Sequence, residues 1–219
     1  MLDCCADHIG SAGKYVRMAL ARNMIAMCLS GRSTSPNGYA TDSNPLASIQ
    51  GSPPMAFGAP AAGATADFHL DFATSPGYSD DEFSRRPEFF FRSLGLAHMA
   101  NILSGTLGGQ MQPEFDRLST PYGRHASHQS AFFFVIDAER FCGVDNFTSD
   151  VASLVDRVAE MTPFPGYDEA ALPGGVEATK ESRYRAEGRV PISAEAVASI
   201  EAAAASVGVT RMPWERYRL

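Results

Sequence analysis

The chain has 219 residues, of which 45% are hydrophobic and 20% charged, and its formal net charge is −7. The acidic balance argues against a nucleic-acid partner, because phosphate binding needs a clustered basic face. No apolar run approaches the roughly 20 residues of a membrane span, and no basic leader precedes one, so we expect a cytoplasmic protein that binds neither nucleic acid nor membrane.

The first third of the chain predicts one helix and several strands. Residues 11–29 begin with apolar side chains at helical spacing and end in MIAMCL, which is typical of a buried strand. Residues 30–63 are rich in Ser, Pro and Gly, and we expect short strands within them, because structureless loops beyond about 15 residues are uncommon. The alternation in DFHLDFATS predicts a strand over Phe68–Ala73.

The middle of the chain predicts one long helix and one strand. The apolar pattern of FFFRSLGLAHMANILSGTLGG is helical and ends at Gly108 and Gly109. After a loop, SAFFFVIDAERF predicts a strand, and its unbroken apolar run is typical of a central one.

The last third predicts two further helices. NFTSDVASLVDRVAEM carries an apolar face, with Asn146 or Thr148 as the expected N-cap. SAEAVASIEAAAASVGV predicts a helix that begins at Ser193 and ends at Gly208. Because helices and strands alternate, the fold class is α/β or α+β.

The common nucleotide and catalytic motifs are absent from the sequence. It contains no GxGxxG, P-loop, nucleophile elbow or HExxH. Cys4, Cys5 and His8 lie close together in sequence, but neither a CxxC pair nor a second ligand pair accompanies them. We therefore expect no metal site, and reduced cysteines.

His8 is the strongest candidate for a catalytic residue. It precedes the small residues GSAG and a predicted helix, whose N-terminal N–H groups suit an anionic ligand. A neutral imidazole there could exchange a proton with a substrate hydroxyl or carbonyl. From the residues alone, a histidine without any catalytic role is the alternative.

Several stretches together are similar to one family. They are DHIGSAGKYVRMAL, either NPLA or its neighbour SPPMAFGAP, DFHLDFATS, SLGLAHMANILSGTLGG and FPGYDEAALPGGVEATKESRYRAEGRVPIS. In this order they resemble segments of the type-2 malate/L-lactate dehydrogenases, NAD(P)-dependent 2-hydroxyacid oxidoreductases that include ureidoglycolate and sulfolactate dehydrogenases. The resemblance implies an α/β fold in which helices flank a mixed sheet, distinct from the Rossmann arrangement and incomplete in this chain.

The resemblance also implies roles for individual residues. His8 corresponds to the histidine that takes the proton from the substrate hydroxyl while hydride leaves for the nicotinamide. Arg92 stands where the family has a lysine that contacts the cofactor. The residues for which the resemblance implies cofactor contact, NAD or NADP, are Asp71, Phe72, Ala73, Arg92 and Ser93.

Two segments of the family pattern are missing. The family's Ser-His-Gly…Arg motif, whose arginine binds the substrate carboxylate, would precede this chain. The block that follows Ala-Thr-Ser in the family is shortened here, and two leading glycines are replaced by Phe89 and Phe90. We therefore expect a single, truncated domain over residues 1–219, with a deletion junction within residues 75–90.

Two functions are compatible with this pattern. The first is hydride transfer between NAD(P) and a small 2-hydroxy or 2-oxo acid, carried out by a homodimer. The second is a catalytically inactive paralogue that retains the dimerising core and acts, if at all, through protein association. Binding of NADH or NADPH distinguishes the two.

Overall fold

The computed structural model describes residues 9–31, 48, 52–74, 84–110 and 130–209. Its sheet has four strands in the order β3-β2-β1-β4, and each of the three pairings is antiparallel. The strands are β1 Met24–Gly31, β2 Pro54–Ala59, β3 Phe68–Ala73 and β4 Ser130–Asp137. The predicted strands at MIAMCL and Phe68–Ala73 are confirmed, and β2 is one of the short strands expected within residues 30–63.

Helices precede, separate and follow these strands. The α-helices are α1 Ala12–Leu20, α2 Pro87–Ala100, α3 Val144–Ala159, α4 Gly175–Glu187 and α5 Ala194–Ser206. A π-helical segment, Asn101–Thr106, continues α2 to the predicted stop, where Gly109 has a φ of 82°. In the described ranges, no helix combines the length and the apolar character that crossing a membrane requires.

The chain divides into two compact units, Met1–Val176 and Glu177–Leu219. The sheet, α1, α2 and α3 belong to the first unit, and α5 belongs to the second. The deletion junction within residues 75–90 stays a prediction, and residues 75–83 lie outside the described ranges.

The two faces of the sheet are covered by different helices. On one face, Val16 and Leu20 of α1 pack with Cys28 of β1 and Ala56 of β2. On the other face, Ala100 at the end of α2 packs with buried side chains of β1 and β2. A sheet between helices confirms the predicted α/β class. The resemblance implied a mixed sheet, whereas the three pairings of the described strands are all antiparallel.

A glycine of β2 allows α1 to approach the sheet closely. A Cβ at Gly58 would lie 2.5 Å from Cγ1 of Val16 and 3.0 Å from Cδ1 of Leu20. Both neighbours are buried core side chains. A larger residue at this position would therefore displace α1 from the sheet.

Three details differ from the sequence predictions. Within the described residues β4 pairs only with β1, so the prediction of a central strand is wrong there; Phe133 and Phe132 pack against the cores on the two faces, whereas Phe134 and Val135 are exposed. The helix predicted from Asn146 or Thr148 begins earlier, at Val144, after Gly143. No helix was predicted over Gly175–Glu187, whose charged side chains form no apolar face.

Gly58→Ala should destabilise the protein by about 1–3 kcal/mol, because the added methyl overpacks the contact with α1. The matched control is Gly95→Ala on the exposed side of α2, where no atom lies within 4 Å of the new Cβ. This control should stabilise by about 0.5–1 kcal/mol, because alanine loses less backbone entropy in a helix. Urea unfolding of both variants measures the two effects, and equal effects would contradict the close packing.

Candidate active site

The carboxylate of Asp71 on β3 accepts two hydrogen bonds from the start of α1. Ser11 donates its hydroxyl to Oδ2 at 2.6 Å, and Gly13 donates its backbone N–H to the same oxygen at 3.1 Å. Ser11 is the N-cap residue of α1, yet its side chain makes no capping bond within its own helix. The first turn of α1 also lacks an acidic residue, so Asp71 supplies the negative charge that a helix N-terminus favours.

His69 lies beside Asp71 on the same face of β3, because side chains two residues apart in a strand point the same way. Its ring is in contact with the start of α1: a Cβ at Gly13 would lie 2.8 Å from Nε2 and 2.5 Å from Oδ2 of Asp71. Nε2 is buried and makes no hydrogen bond within the described residues. His69 was not among the residues predicted to form the site, although its position two residues before Asp71 was a signal that could have placed it there.

The LPGG segment lies against the edge of β3. The backbone N–H of His69 donates to the carbonyl of Pro173 at 2.9 Å. Gly174 has a φ of 98°, and a Cβ there would lie 2.8 Å from the carbonyl oxygen of Asp67 and 2.9 Å from the amide nitrogen of His69. Only glycine combines this backbone conformation with so close an approach.

The end of β3 contacts the middle of α2. Thr74 is buried, and its hydroxyl donates to the carbonyl of Pro53 at 2.8 Å. Ser93 of α2 donates its hydroxyl to the carbonyl of Thr74. The predicted site residue Ser93 is therefore hydrogen-bonded to Thr74, three positions after Asp71.

The other predicted site residues lie in different surroundings. The ring of Phe72 stacks on Phe57 with centroids 6.5 Å apart, on the face covered by α2 and opposite to Asp71. Ala73 is exposed at the end of β3, and Arg92 is exposed on α2. His8 lies outside the described residues, which begin at its neighbour Ile9. Contact of these residues with a cofactor stays a prediction.

Cys28 lies two strands from Asp71 along one cross-strand row, since Asp71 pairs with Ala56 and Ala56 pairs with Cys28. Burial, and secondly the negative charge of Asp71, raise the pKa of the Cys28 thiol to about 12. Because the thiolate is the reactive form, this thiol is not a nucleophile near neutral pH. The contribution of this raised pKa to the free energy of unfolding is fully present below the pKa of an unfolded thiol and is lost as the pH rises toward 12.

Gly174→Ala should weaken the contact between the LPGG segment and β3. We expect a loss of about 2–4 kcal/mol in the free energy of unfolding, because a strained backbone conformation and a clash with backbone atoms add together. The control is Gly63→Ala, where φ is 71° but no atom lies within 4 Å of the new Cβ, so only about 1–2 kcal/mol should be lost. Equal losses in urea unfolding would show that the clash at β3 is absent.

Comparison with known proteins gives a family match and a related sequence. A family model described as malate/L-lactate dehydrogenase matches residues 90–201, just over half of the chain. A malate dehydrogenase of Pyrococcus horikoshii is 23% identical over 246 residues, which cover 93% of this chain and 65% of that protein. The chain thus spans slightly less than two thirds of the length of this curated relative.

Solved structures with a similar fold include two malate dehydrogenases. The structure from Pyrococcus horikoshii OT3 superposes with a TM-score of 0.62 at 22% identity, covering 94% of this chain and 64% of that one. The structure from Entamoeba histolytica superposes with a TM-score of 0.56 at 16% identity, covering 94% of this chain and 67% of that one. These superpositions confirm the fold predicted from the resemblance, over the part of it that the chain covers.

Proposed function

We propose a function for this chain from one premise: it belongs to the malate/L-lactate dehydrogenase family. On this premise we infer that it is an oxidoreductase that transfers hydride between NAD or NADP and a small 2-hydroxy or 2-oxo acid. The chain spans 65% of the length of the curated relative, so the activity is a proposal for this chain.

One observation carries the proposal: three segments that resemble the family meet at β3. The start of α1 contacts Asp71, α2 contacts Thr74 through Ser93, and the LPGG segment contacts His69. These segments are far apart in the sequence, from residue 11 to residue 174. Their convergence supports a common site at this strand, because distant segments that carry chemistry must meet in order to act together.

The residues at β3 have the chemistry that a nicotinamide dinucleotide requires. Oδ1 of Asp71 accepts no hydrogen bond from the described residues, and the side chain is exposed, so it is able to accept one from a ribose hydroxyl. Arg92 is an exposed cation next to Ser93, which contacts Thr74 after the end of β3, and its charge suits a phosphate. When bound, NAD(P) supplies the acceptor or donor of the hydride.

His8 is the proposed acid/base residue. In the oxidative direction its imidazole takes the proton of the substrate hydroxyl. The carbon that bears this hydroxyl loses a hydride to the nicotinamide acceptor, and its C–O bond becomes a carbonyl. In the reductive direction the imidazolium returns that proton to the oxygen. An unperturbed imidazole pKa near 6.5 suits both directions at neutral pH.

We further propose a homodimer, which the family resemblance implies, and a cytoplasmic location. The described fold contains exposed apolar side chains on α2, among them Phe89, Leu96 and Met99, which a protein interface would cover. Light scattering at several protein concentrations measures the oligomeric state. A particle of 23.5 kDa at all of them would refute the dimer.

Titration with NADH and with NADPH should give a saturable change in cofactor fluorescence. Arg92→Ala should raise the dissociation constant about tenfold, because it removes a proposed phosphate contact. The control Arg157→Ala removes an exposed arginine near the end of α3 and should leave the dissociation constant unchanged. The absence of binding at millimolar cofactor would refute the enzyme and favour the inactive paralogue.

His8→Ala should retain cofactor binding but lower the rate of malate or lactate oxidation by roughly 10²–10⁴, the usual contribution of a general base. The reduced nicotinamide formed is followed by its absorbance. Oxidation at the parent rate in the His8→Ala variant would contradict the acid/base assignment and leave the cofactor-binding proposal untouched.

A further inference from the structure

Apart from the residues that meet at β3, a serine and a histidine share a hydrogen bond. Oγ of Ser48 and Nε2 of His98 on α2 lie 2.7 Å apart. In the tautomer of His98 that carries its proton on Nδ1, Nε2 accepts this hydrogen bond from the serine hydroxyl. The distance is within the range that joins a nucleophilic serine to its base in enzymes that form acyl intermediates. The two side chains are therefore placed for transfer of the serine proton to the imidazole.

The helix that carries His98 is anchored on the sheet. Ala97 and Ala100, on either side of His98, are fully buried, and Ala100 packs in the core beneath β1 and β2. Ser93 of the same helix donates its hydroxyl to the carbonyl of Thr74. Because a base on a packed helix keeps its position, the imidazole needs little rearrangement to take a proton.

The second ring nitrogen of His98 is open to water. Nδ1 makes no hydrogen bond within the described ranges, and it is not buried there as Nε2 of His69 is. Water is therefore able to accept a hydrogen bond from Nδ1–H and to stabilise the imidazolium that forms when Nε2 takes a proton. A carboxylate fills this role in the Ser-His-Asp triad.

The surface beside His98 has room for a small acyl compound. A helical side chain extends over the preceding turn, and at His98 that turn holds Gly95, where an added Cβ would have no atom within 4 Å. Phe91 and Ile102 lie on the same side of the helix by their spacing from His98, and they are 59% and 50% exposed. An apolar surface next to a nucleophile and its base suits an ester with an aryl group or a short acyl chain.

We propose that Ser48 is a nucleophile and His98 its base, in a second site that hydrolyses small activated carboxylic esters independently of NAD(P). Oγ forms a bond to the ester carbonyl carbon, and its proton passes to Nε2. The bond between this carbon and the leaving oxygen then breaks, and the leaving alcohol takes the proton from Nε2. Water next attacks the acyl group on Ser48 and gives a proton to Nε2. The carboxylic acid leaves, and Oγ recovers the proton from Nε2.

The ester p-nitrophenyl acetate is the probe, because its leaving group is followed by absorbance. The parent should release p-nitrophenolate in a burst, and mass spectrometry should find the acetyl group on the peptide that contains Ser48. Ser48→Ala should abolish the burst, and His98→Ala should lower its rate roughly 10²–10⁴-fold, the usual contribution of a general base. The matched control Ser153→Ala removes an exposed hydroxyl of α3 that donates to the carbonyl of Ser149, and it should keep the parent rate.

A second measurement needs no variant and therefore does not depend on whether a variant folds. A fluorophosphonate reagent phosphonylates a nucleophilic serine and releases fluoride. In the native parent it should label Ser48 about tenfold faster or more than in urea, because unfolding separates the hydroxyl from its base. Equal labelling rates in the two states would overturn the proposal. Acetyl groups found only on other residues, or a burst at the parent rate in His98→Ala, would overturn it as well.

Discussion

The rest of the candidate site depends on the carboxylate of Asp71, which connects strand β3 to the start of helix α1. It lies on β3 and accepts hydrogen bonds from the hydroxyl of Ser11 and the N–H of Gly13 at the start of α1. The helix N-terminus lacks a cap of its own, so this acidic side chain satisfies groups that would otherwise be unpaired. The same oxygen thereby sets where α1 begins relative to the sheet, and with it the segment that follows His8.

Features that depend on neighbouring residues could be predicted from the sequence. The alternation around Asp71 predicts the bounds of β3, and the predicted cap at Ser193 accepts a hydrogen bond from the N–H of Ala196. Gly208 has the positive φ expected just beyond a helix. Each of these signals is complete within a few residues, so no knowledge of the tertiary structure is needed.

Features that depend on the pairing of distant segments could not be predicted. The bond from Ser11 to Asp71 spans 60 positions, and it exists because the packing of α1 on the sheet brings β3 opposite its first turn. The buried Nε2 of His69 has the same origin, since Gly13 at the start of α1 lies against this ring. The resemblance implied that Asp71 contacts the cofactor. Its hydrogen bonds to the start of α1 could not be read from any motif, because they depend on how the chain folds.

The central claim is that the segments meeting at β3 form one cofactor site, and amide hydrogen exchange with and without saturating NADH or NADPH tests it most directly. If these segments form one site, cofactor should slow amide exchange in all three peptides that contain Ser11, Asp71 and Ser93. Peptides of α5, Ala194–Ser206, should exchange at the same rate in both states. Slower exchange only in α5, or no change in the β3 peptide, would contradict a single cofactor site at β3.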